Sequence, residues 1–209
     1  MTETSLLKRV PNILTASRVV FAVAYLVLLL LVDRQALGRG ESQDLLAWRE
    51  SIHSESQKLF WAFVMFVIAG ITDVIDGPMA RAMNVTSSFG RTFDPFVDKI
   101  LVGGGFIVFA LFPYEIAGLA WWMVGVMLVR EILVTVLRSK KESEGKEFGA
   151  TWAGKVKMLI QSFAIGTIII YSGYFQNEGW AVIFRDIAIW VAVIFTVLSA
   201  LPYLGRLKK

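Results

Sequence analysis

The chain has 209 residues, of which 56% are hydrophobic, and its 21 Lys and Arg against 17 Asp and Glu leave a net charge of +4. Length alone allows one domain or two small ones, but a mean hydropathy of +0.62 is unusual for a soluble domain and points to a bundle of membrane helices. The absence of cysteine excludes disulfides, zinc–thiolate sites and thiol nucleophiles. No basic run is interleaved with aromatics, so the positive charge reads as cytoplasmic-loop Lys and Arg and not as a nucleic-acid footprint.

About 20 mainly apolar residues cross a bilayer as a helix, and six stretches qualify. The first, about 12–32, ends in "FAVAYLVLLLLV" and is too long for the apolar part of a signal peptide. A polar stretch of mixed charge, about 33–57, reads as a loop; it holds the only histidine, His53, which reads as a solvated surface residue. The second span is about 58–76, the third about 94–112, the fourth about 116–137, the fifth about 156–175 and the sixth about 180–201. With the N-terminus inside, only Arg34, Arg39, Arg49, Lys58 and Arg185 of the 21 Lys and Arg fall outside, so both termini are expected in the cytoplasm. The expected fold is therefore all-α: one polytopic membrane domain, residues 1–209, with six transmembrane helices. The sequon Asn84-Val85-Thr86 then lies inside and carries no glycan.

The unusual stretch is "DVIDGPMARAMNVTSSFGRTFDPFVDKI", residues 73–100. A carboxylate in a membrane span costs roughly 2.5–3.5 kcal/mol on insertion scales, yet Asp73, Asp76, Asp94 and Asp98 all occur here. Asp73 and Asp76 are three apart and Asp94 and Asp98 four apart, so each pair shares a helix face. The two spans that carry them are consecutive and antiparallel, so the pairs can face each other. Four converging carboxylates repel unless cations hold them, and hard oxygen ligands select magnesium, manganese or calcium. Two divalent ions in such a site suit phosphoryl transfer. Gly77 lets a ligand approach the backbone, Ala80 keeps the space beside it small, Arg81 offers a phosphate oxygen its guanidinium, and Gly90 avoids obstructing the pocket four residues before Asp94. Solvated helix-end charges explain one such pair but not two at matched spacing with an embedded Gly and Arg.

Asp73-x-x-Asp76-Gly77-x-x-Ala80-Arg81, eight residues, then Gly90-x-x-x-Asp94-x-x-x-Asp98 resembles, without a gap, the signature of the CDP-alcohol phosphatidyltransferases. The resemblance implies a six-helix membrane enzyme, a homodimer, a cytidine-diphosphate lipid donor and two divalent cations, Mg²⁺ or Mn²⁺. It implies that Asp73, Asp76, Asp94 and Asp98 ligate metal and that Asp98 also accepts a proton. It places Asp73, Asp76, Gly77, Ala80, Arg81, Ser87 and Gly90 around the CDP-lipid.

Three further segments bear on the acceptor alcohol. "PNILTASRV" from Pro11, "VREILVTVLR" with Arg130 and Glu131, and "GKVKMLIQ" from Gly154 to Gln161 resemble segments of the phosphatidylglycerophosphate synthases, with Met158 where a Thr is expected. That branch implies CDP-diacylglycerol as donor and sn-glycerol 3-phosphate as acceptor. A phosphorylated acceptor also needs cations, and Arg130, Lys155 and Lys157 lie at the cytoplasmic ends of the fourth and fifth spans. Another acceptor such as inositol phosphate is the nearest alternative. A membrane cation transporter is a more distant one, since it favours carboxylates at the bilayer midplane and discontinuous helices. The expected location is the bacterial inner membrane, with the active site facing the cytoplasm.

Overall fold

A mainly apolar run from Val10 to Leu30 forms the first helix, α1, with Pro11 in the first turn, where its missing N–H costs nothing. The computed structural model of the chain describes residues 10–38, 44–82, 97, 99–144 and 152–201, and every regular element among them is helical. The chain divides into two compact units, residues 1–108 and 109–209.

The first unit is built on α1 and a 38-residue helix, α3, Leu45–Ala82. Between them lies one short helix, α2, Arg34–Gly38. Asp33 caps α2: its Oδ1 accepts the N–H of Gln35 at 2.9 Å and of Ala36 at 3.2 Å. Asp44 does the same for α3, accepting the Ala47 N–H at 3.2 Å. This corrects the reading of 33–57 as a loop. Its second half is the polar start of α3, because Glu, Gln, Arg, Ala and Leu are adequate helix formers and neither Gly nor Pro interrupts 44–69. Polarity keeps this stretch out of lipid without keeping it out of a helix. A 38-residue helix is about 57 Å long, well beyond a hydrocarbon core of about 30 Å; the membrane-competent part is Arg49–Ile75.

The α1–α3 pair is antiparallel along a repeating seam. Arg18, Ala22, Tyr25 and Leu29 are buried on α1, and Glu55, Leu59, Ala62, Phe66 and Ala69 on α3. Alternating steps of four and three keep each set on one stripe, as in a coiled coil. Contacts along the seam fix the register. Asp73 meets Arg18 at one end, the Tyr25 and Phe66 rings meet with centroids 5.2 Å apart, and the Asp33 N–H donates to Glu55 Oε2 at 2.8 Å at the other end. Lys58 Nζ closes that end, donating to Glu55 Oε1 at 2.7 Å and to the Leu31 carbonyl at 3.2 Å. The outer faces carry exposed Val20, Val23, Val27, Trp61, Ile71 and Val74, an apolar surface suited to lipid and not to water. His53 is exposed and its Nε2 lies 2.9 Å from Gln57 Nε2.

Of the third expected span, Val97, which is buried, and the residues from Lys99 onward are described. A π-helical segment, Lys99–Gly104, continues as α4, Gly105–Phe109. Gly104 sits close to α1: a Cβ there would lie 2.9 Å from Leu26 Cδ1. π-turns inside α-helices occur frequently at functional sites, and this one follows Asp98 directly in sequence.

The second unit contains α5 (Tyr114–Ala117), α6 (Trp121–Ser143), α7 (Trp152–Tyr174) and α8 (Gly179–Leu198). The fourth expected span therefore starts later than its hydropathy suggests. Gly118, at φ +65°, ends α5 in the left-handed conformation, and its N–H donates to the Tyr114 carbonyl at 2.7 Å. The tight Phe175–Glu178 turn makes α7 and α8 a hairpin. Ala181, Ala188 and Ala192 are buried on α8, small side chains that allow close helix approach, while Trp180, Ile183, Phe184, Ile187, Trp190 and Ile194 are exposed on it. Described helical residues fall within each of the six expected stretches. Among the described residues three are long and apolar enough to cross a membrane: Arg49–Ile75, Gly154–Tyr174 and Gly179–Leu198.

Arg185, counted in the sequence only as an outside charge, is 3% exposed. Its Nη1 donates to the carbonyls of Glu115 at 2.8 Å and Ile116 at 2.9 Å, satisfying the end of α5. Its Nε donates to Asp186 Oδ1 at 2.9 Å, and its guanidinium carbon lies 4.4 Å from the Tyr171 ring centroid. A Cβ at Gly118 would come within 2.5 Å of Arg185 Nε, so glycine is required there by space as well as by φ. Arg185→Ala should destabilise the protein by about 3 kcal/mol or more, since it strands two buried carbonyls. Tryptophan-fluorescence melting in detergent checks this, with Arg185→Lys expected to fall between; an unchanged midpoint for Arg185→Ala would show the contacts to be dispensable.

Candidate active site

The motif stretch begins near the C-terminal end of α3. Helix α3 runs unbroken through positions 73, 76, 77, 80 and 81, and steps of three, one, three and one keep those positions on one helical face. The two aspartates of the first pair therefore share a face with Gly77, Ala80 and Arg81, as their spacing requires. Pro78 stands inside this stretch and has no N–H to give the Val74 carbonyl. The side chains of Asp76, Ala80 and Arg81 lie outside the described residues, as do Ser87, Gly90, Asp94 and Asp98.

Asp73 is described in full, and it has a partner that sequence reasoning missed. Arg18 Nη1 lies 2.5 Å from Asp73 Oδ1; the Arg18 side chain is 1% exposed and that of Asp73 35%. Arg18 had been counted among the inside topology charges. The signal that could have found it is a charge well inside an apolar helix, which normally faces a polar partner and not lipid. The pair fastens α1 to the motif helix and occupies one oxygen of Asp73. Asp73 is the one motif carboxylate whose side chain is described, and among the described residues no three His, Cys, Asp or Glu side chains gather to hold a metal ion. A ligand's outer-shell partners orient it.

The second unit gathers another polar cluster, on α6, α7 and the end of α8. Arg130 is 8% exposed, Lys157 7% and Gln161 5%. Arg130 Nη2 donates to the Ser199 carbonyl at 3.0 Å, capping the C-terminus of α8, where the helix dipole favours a cation. Arg130 Nη1 lies 3.3 Å from Glu131 Oε2, and Lys157 Nζ donates to the same Glu131 oxygen. Gln161 Nε2 donates to Thr196 Oγ1 at 2.9 Å, and Ser199 Oγ to the Thr196 carbonyl at 2.7 Å. The face of α7 that carries Lys157 and Gln161, four apart, is thus turned into the bundle. Of the three cations nominated for the acceptor phosphate, the structure brings together Arg130 and Lys157. Lys155 is exposed and outside this network, because two residues along a helix turn a side chain through roughly 200°.

These features define an integral membrane protein of helical-bundle type, with motif aspartates on a helix of the first unit and a buried cation cluster within the second. The sequence profile of the CDP-alcohol phosphatidyltransferases matches residues 8–198, and the chain belongs to that family. Among its relatives is the CDP-diacylglycerol–glycerol-3-phosphate 3-phosphatidyltransferase of Bacillus subtilis (strain 168), 36% identical over 143 residues, covering 68% of this chain and 71% of the relative. The enzyme of the same name from Rickettsia felis (strain ATCC VR-1525 / URRWXCal2) is 32% identical over 150 residues, covering 70% and 78%. That of Rickettsia typhi (strain ATCC VR-144 / Wilmington) is 28% identical over 206 residues, covering 97% and 98%.

Proposed function

We propose that the chain transfers the phosphatidyl group of CDP-diacylglycerol to sn-glycerol 3-phosphate, giving phosphatidylglycerophosphate and CMP. The observation that carries this reading is family membership over residues 8–198, joined to the names of its relatives, which specify that donor and acceptor. We read the chain as one catalytic membrane domain with six spans, a homodimer in the bacterial inner membrane, with both termini and the active site on the cytoplasmic side. The acidic motif favours a diphosphate donor over ion transport because Gly77 and Arg81 follow the aspartates on the same helical face.

Two divalent cations, Mg²⁺ or Mn²⁺, held by Asp73, Asp76, Asp94 and Asp98 would supply neutralisation of the donor diphosphate and of the charge that develops at the attacked phosphorus. The chain's own groups do the rest. Arg18 fixes Asp73. Gly77 and Ala80 leave room for the nucleotide, Ser87 and Gly90 border it, and Arg81 holds a diphosphate oxygen. Asp98 takes the proton from the acceptor hydroxyl. The hydroxyl oxygen then bonds to the phosphorus that carries diacylglycerol, the bond from that phosphorus to the CMP oxygen breaks, and CMP leaves. Arg130 and Lys157 bind the acceptor phosphate, with Lys155 nearer solvent.

An acceptor panel tests the reading: purified protein, CDP-diacylglycerol and either glycerol 3-phosphate or inositol phosphate, following CMP release. Glycerol 3-phosphate should dominate; preference for inositol phosphate overturns the acceptor and leaves the family standing. In the same assay Arg130→Lys should raise the KM for glycerol 3-phosphate about ten- to a hundredfold, the worth of one charge-assisted contact, and far more than that for CDP-diacylglycerol. Lysine keeps the charge but loses the two-pronged guanidinium. Equal acceptor KM values in a correctly folded variant would leave Arg130 with only its role at the end of α8.

A further inference from the structure

Gln161 closes the segment from Gly154 that resembles the phosphatidylglycerophosphate synthases, and the acceptor reading leaves it unused. It is 5% exposed and lies one helical turn beyond Lys157 on the same face of α7. Its amide is oriented by the neighbouring helix. Thr196, fully buried on α8, has one hydroxyl proton, and its Oγ1 donates that proton to the Ala192 carbonyl at 2.5 Å. Toward Gln161 this hydroxyl can only accept, so it selects the amide nitrogen: Gln161 Nε2 donates to Thr196 Oγ1 at 2.9 Å. The flip that would exchange amide oxygen for nitrogen is thereby excluded. Gln161 Oε1 is left on the other side of the amide, with no partner among the described residues. Polar atoms of residues this buried are normally hydrogen-bonded. Packing α7 against α8 uses only the nitrogen, so the oxygen calls for a donor from outside the chain. Lys157 and Gln161 are about 6 Å apart along the helix axis, the scale of a three-carbon alcohol with a phosphate at one end. A phosphate dianion has no proton to give an amide oxygen. A hydroxyl has one, and it can also accept the second Nε2 proton.

We propose that Gln161 reads the non-reacting hydroxyl of the acceptor, its Oε1 accepting a hydrogen bond from that hydroxyl while Thr196 holds the amide in the required orientation. The inference rests on reading glycerol 3-phosphate as the acceptor, with its phosphate at Arg130 and Lys157. Gln161 then determines specificity and Thr196 is a positioning residue. The class selected is a phosphorylated polyol with a free hydroxyl beside the reacting carbon.

The test removes the same hydrogen bond from each side. CMP release is followed with glycerol 3-phosphate and with 3-hydroxypropyl phosphate, which keeps the phosphate and the reacting primary hydroxyl and lacks only the middle one. Wild type should favour glycerol 3-phosphate by about ten- to a hundredfold in kcat/KM, the worth of leaving one buried polar group unpaired. Gln161→Leu should lose that preference. Its kcat/KM falls for glycerol 3-phosphate and changes little for 3-hydroxypropyl phosphate, with the KM for CDP-diacylglycerol unchanged. Gln161→Met should behave alike. Thr196→Val, which frees the amide to turn over, should lose part of the preference, and Thr196→Ser, which keeps the hydroxyl, should retain it. A role confined to packing α7 against α8 would lower both acceptors equally. Equal losses on both acceptors in the Gln161 variants, or a wild type that uses both acceptors equally, overturns the hydroxyl subsite and leaves the acceptor assignment intact. If neither Gln161 variant folds, the Thr196 pair decides: the same preference in Thr196→Val as in Thr196→Ser overturns the subsite. If wild type releases CMP with inositol phosphate and with neither three-carbon phosphate, the acceptor assignment fails and the subsite with it.

Discussion

Asp98→Asn should lower kcat by about two to four orders of magnitude, the range for loss of a positioned general base. An amide keeps the size and one oxygen of the carboxylate but accepts no proton at neutral pH. The acceptor hydroxyl then attacks the phosphorus while still protonated. CDP-diacylglycerol should continue to bind, because Asp73, Asp76 and Asp94 remain. Asp98 is assigned to metal as well as to the proton, so metal content must be measured on the same preparation. If the variant keeps its metal and loses turnover, the proton role is isolated. If it keeps both, Asp98 is not the base.

Removal of divalent cations should abolish transfer altogether, with Mg²⁺ or Mn²⁺ restoring it. The four carboxylates proposed to share one site would repel one another, and a diphosphate would add more negative charge to the same place. Arg18 by position and Arg81, Arg91 and Lys99 by sequence lie beside them, enough to offset four carboxylates but not a diphosphate as well. The expectation has a readout independent of turnover. A cation at a hundred times its dissociation constant stabilises the folded state by about 2.7 kcal/mol, so Mn²⁺ should raise the melting midpoint of the wild type. The rise should be smaller in Asp76→Asn. Full activity in metal-free buffer, or a midpoint indifferent to Mn²⁺, would falsify the metal site.

The helical class, the approximate places of the long helices and the family were legible in the sequence. Each of these depends on local information. An apolar run of about 20 residues is helical because its backbone groups must bond within the segment. The Asp73-to-Asp98 signature is a spacing written along the chain. The shared face of 73, 76, 77, 80 and 81 follows from helical periodicity, and α3 keeps that periodicity through Ala82. Even the polar start of α3 was legible in principle: Asp44 is a capping residue and no helix breaker follows until Gly70. It was hidden because hydropathy was used to bound the helix, and hydropathy reports lipid contact, not helicity.

The tertiary structure alone decided which charges have partners. Arg18 and Asp73 are 55 positions apart, Glu131 and Lys157 are 26 apart, and Arg185 reaches carbonyls 70 positions away. In the sequence Arg18 and Arg185 were only charges counted for one side of the membrane or the other, and Lys157 was a candidate for the acceptor phosphate with no partner named. Helix pairing gives them different roles: one holds a motif aspartate, one shares a carboxylate with Arg130, and one closes a helix end behind Gly118. Charge in a membrane protein is costly unless it is satisfied, and satisfaction is a property of the neighbouring helix. No pattern within a single helix carries that information.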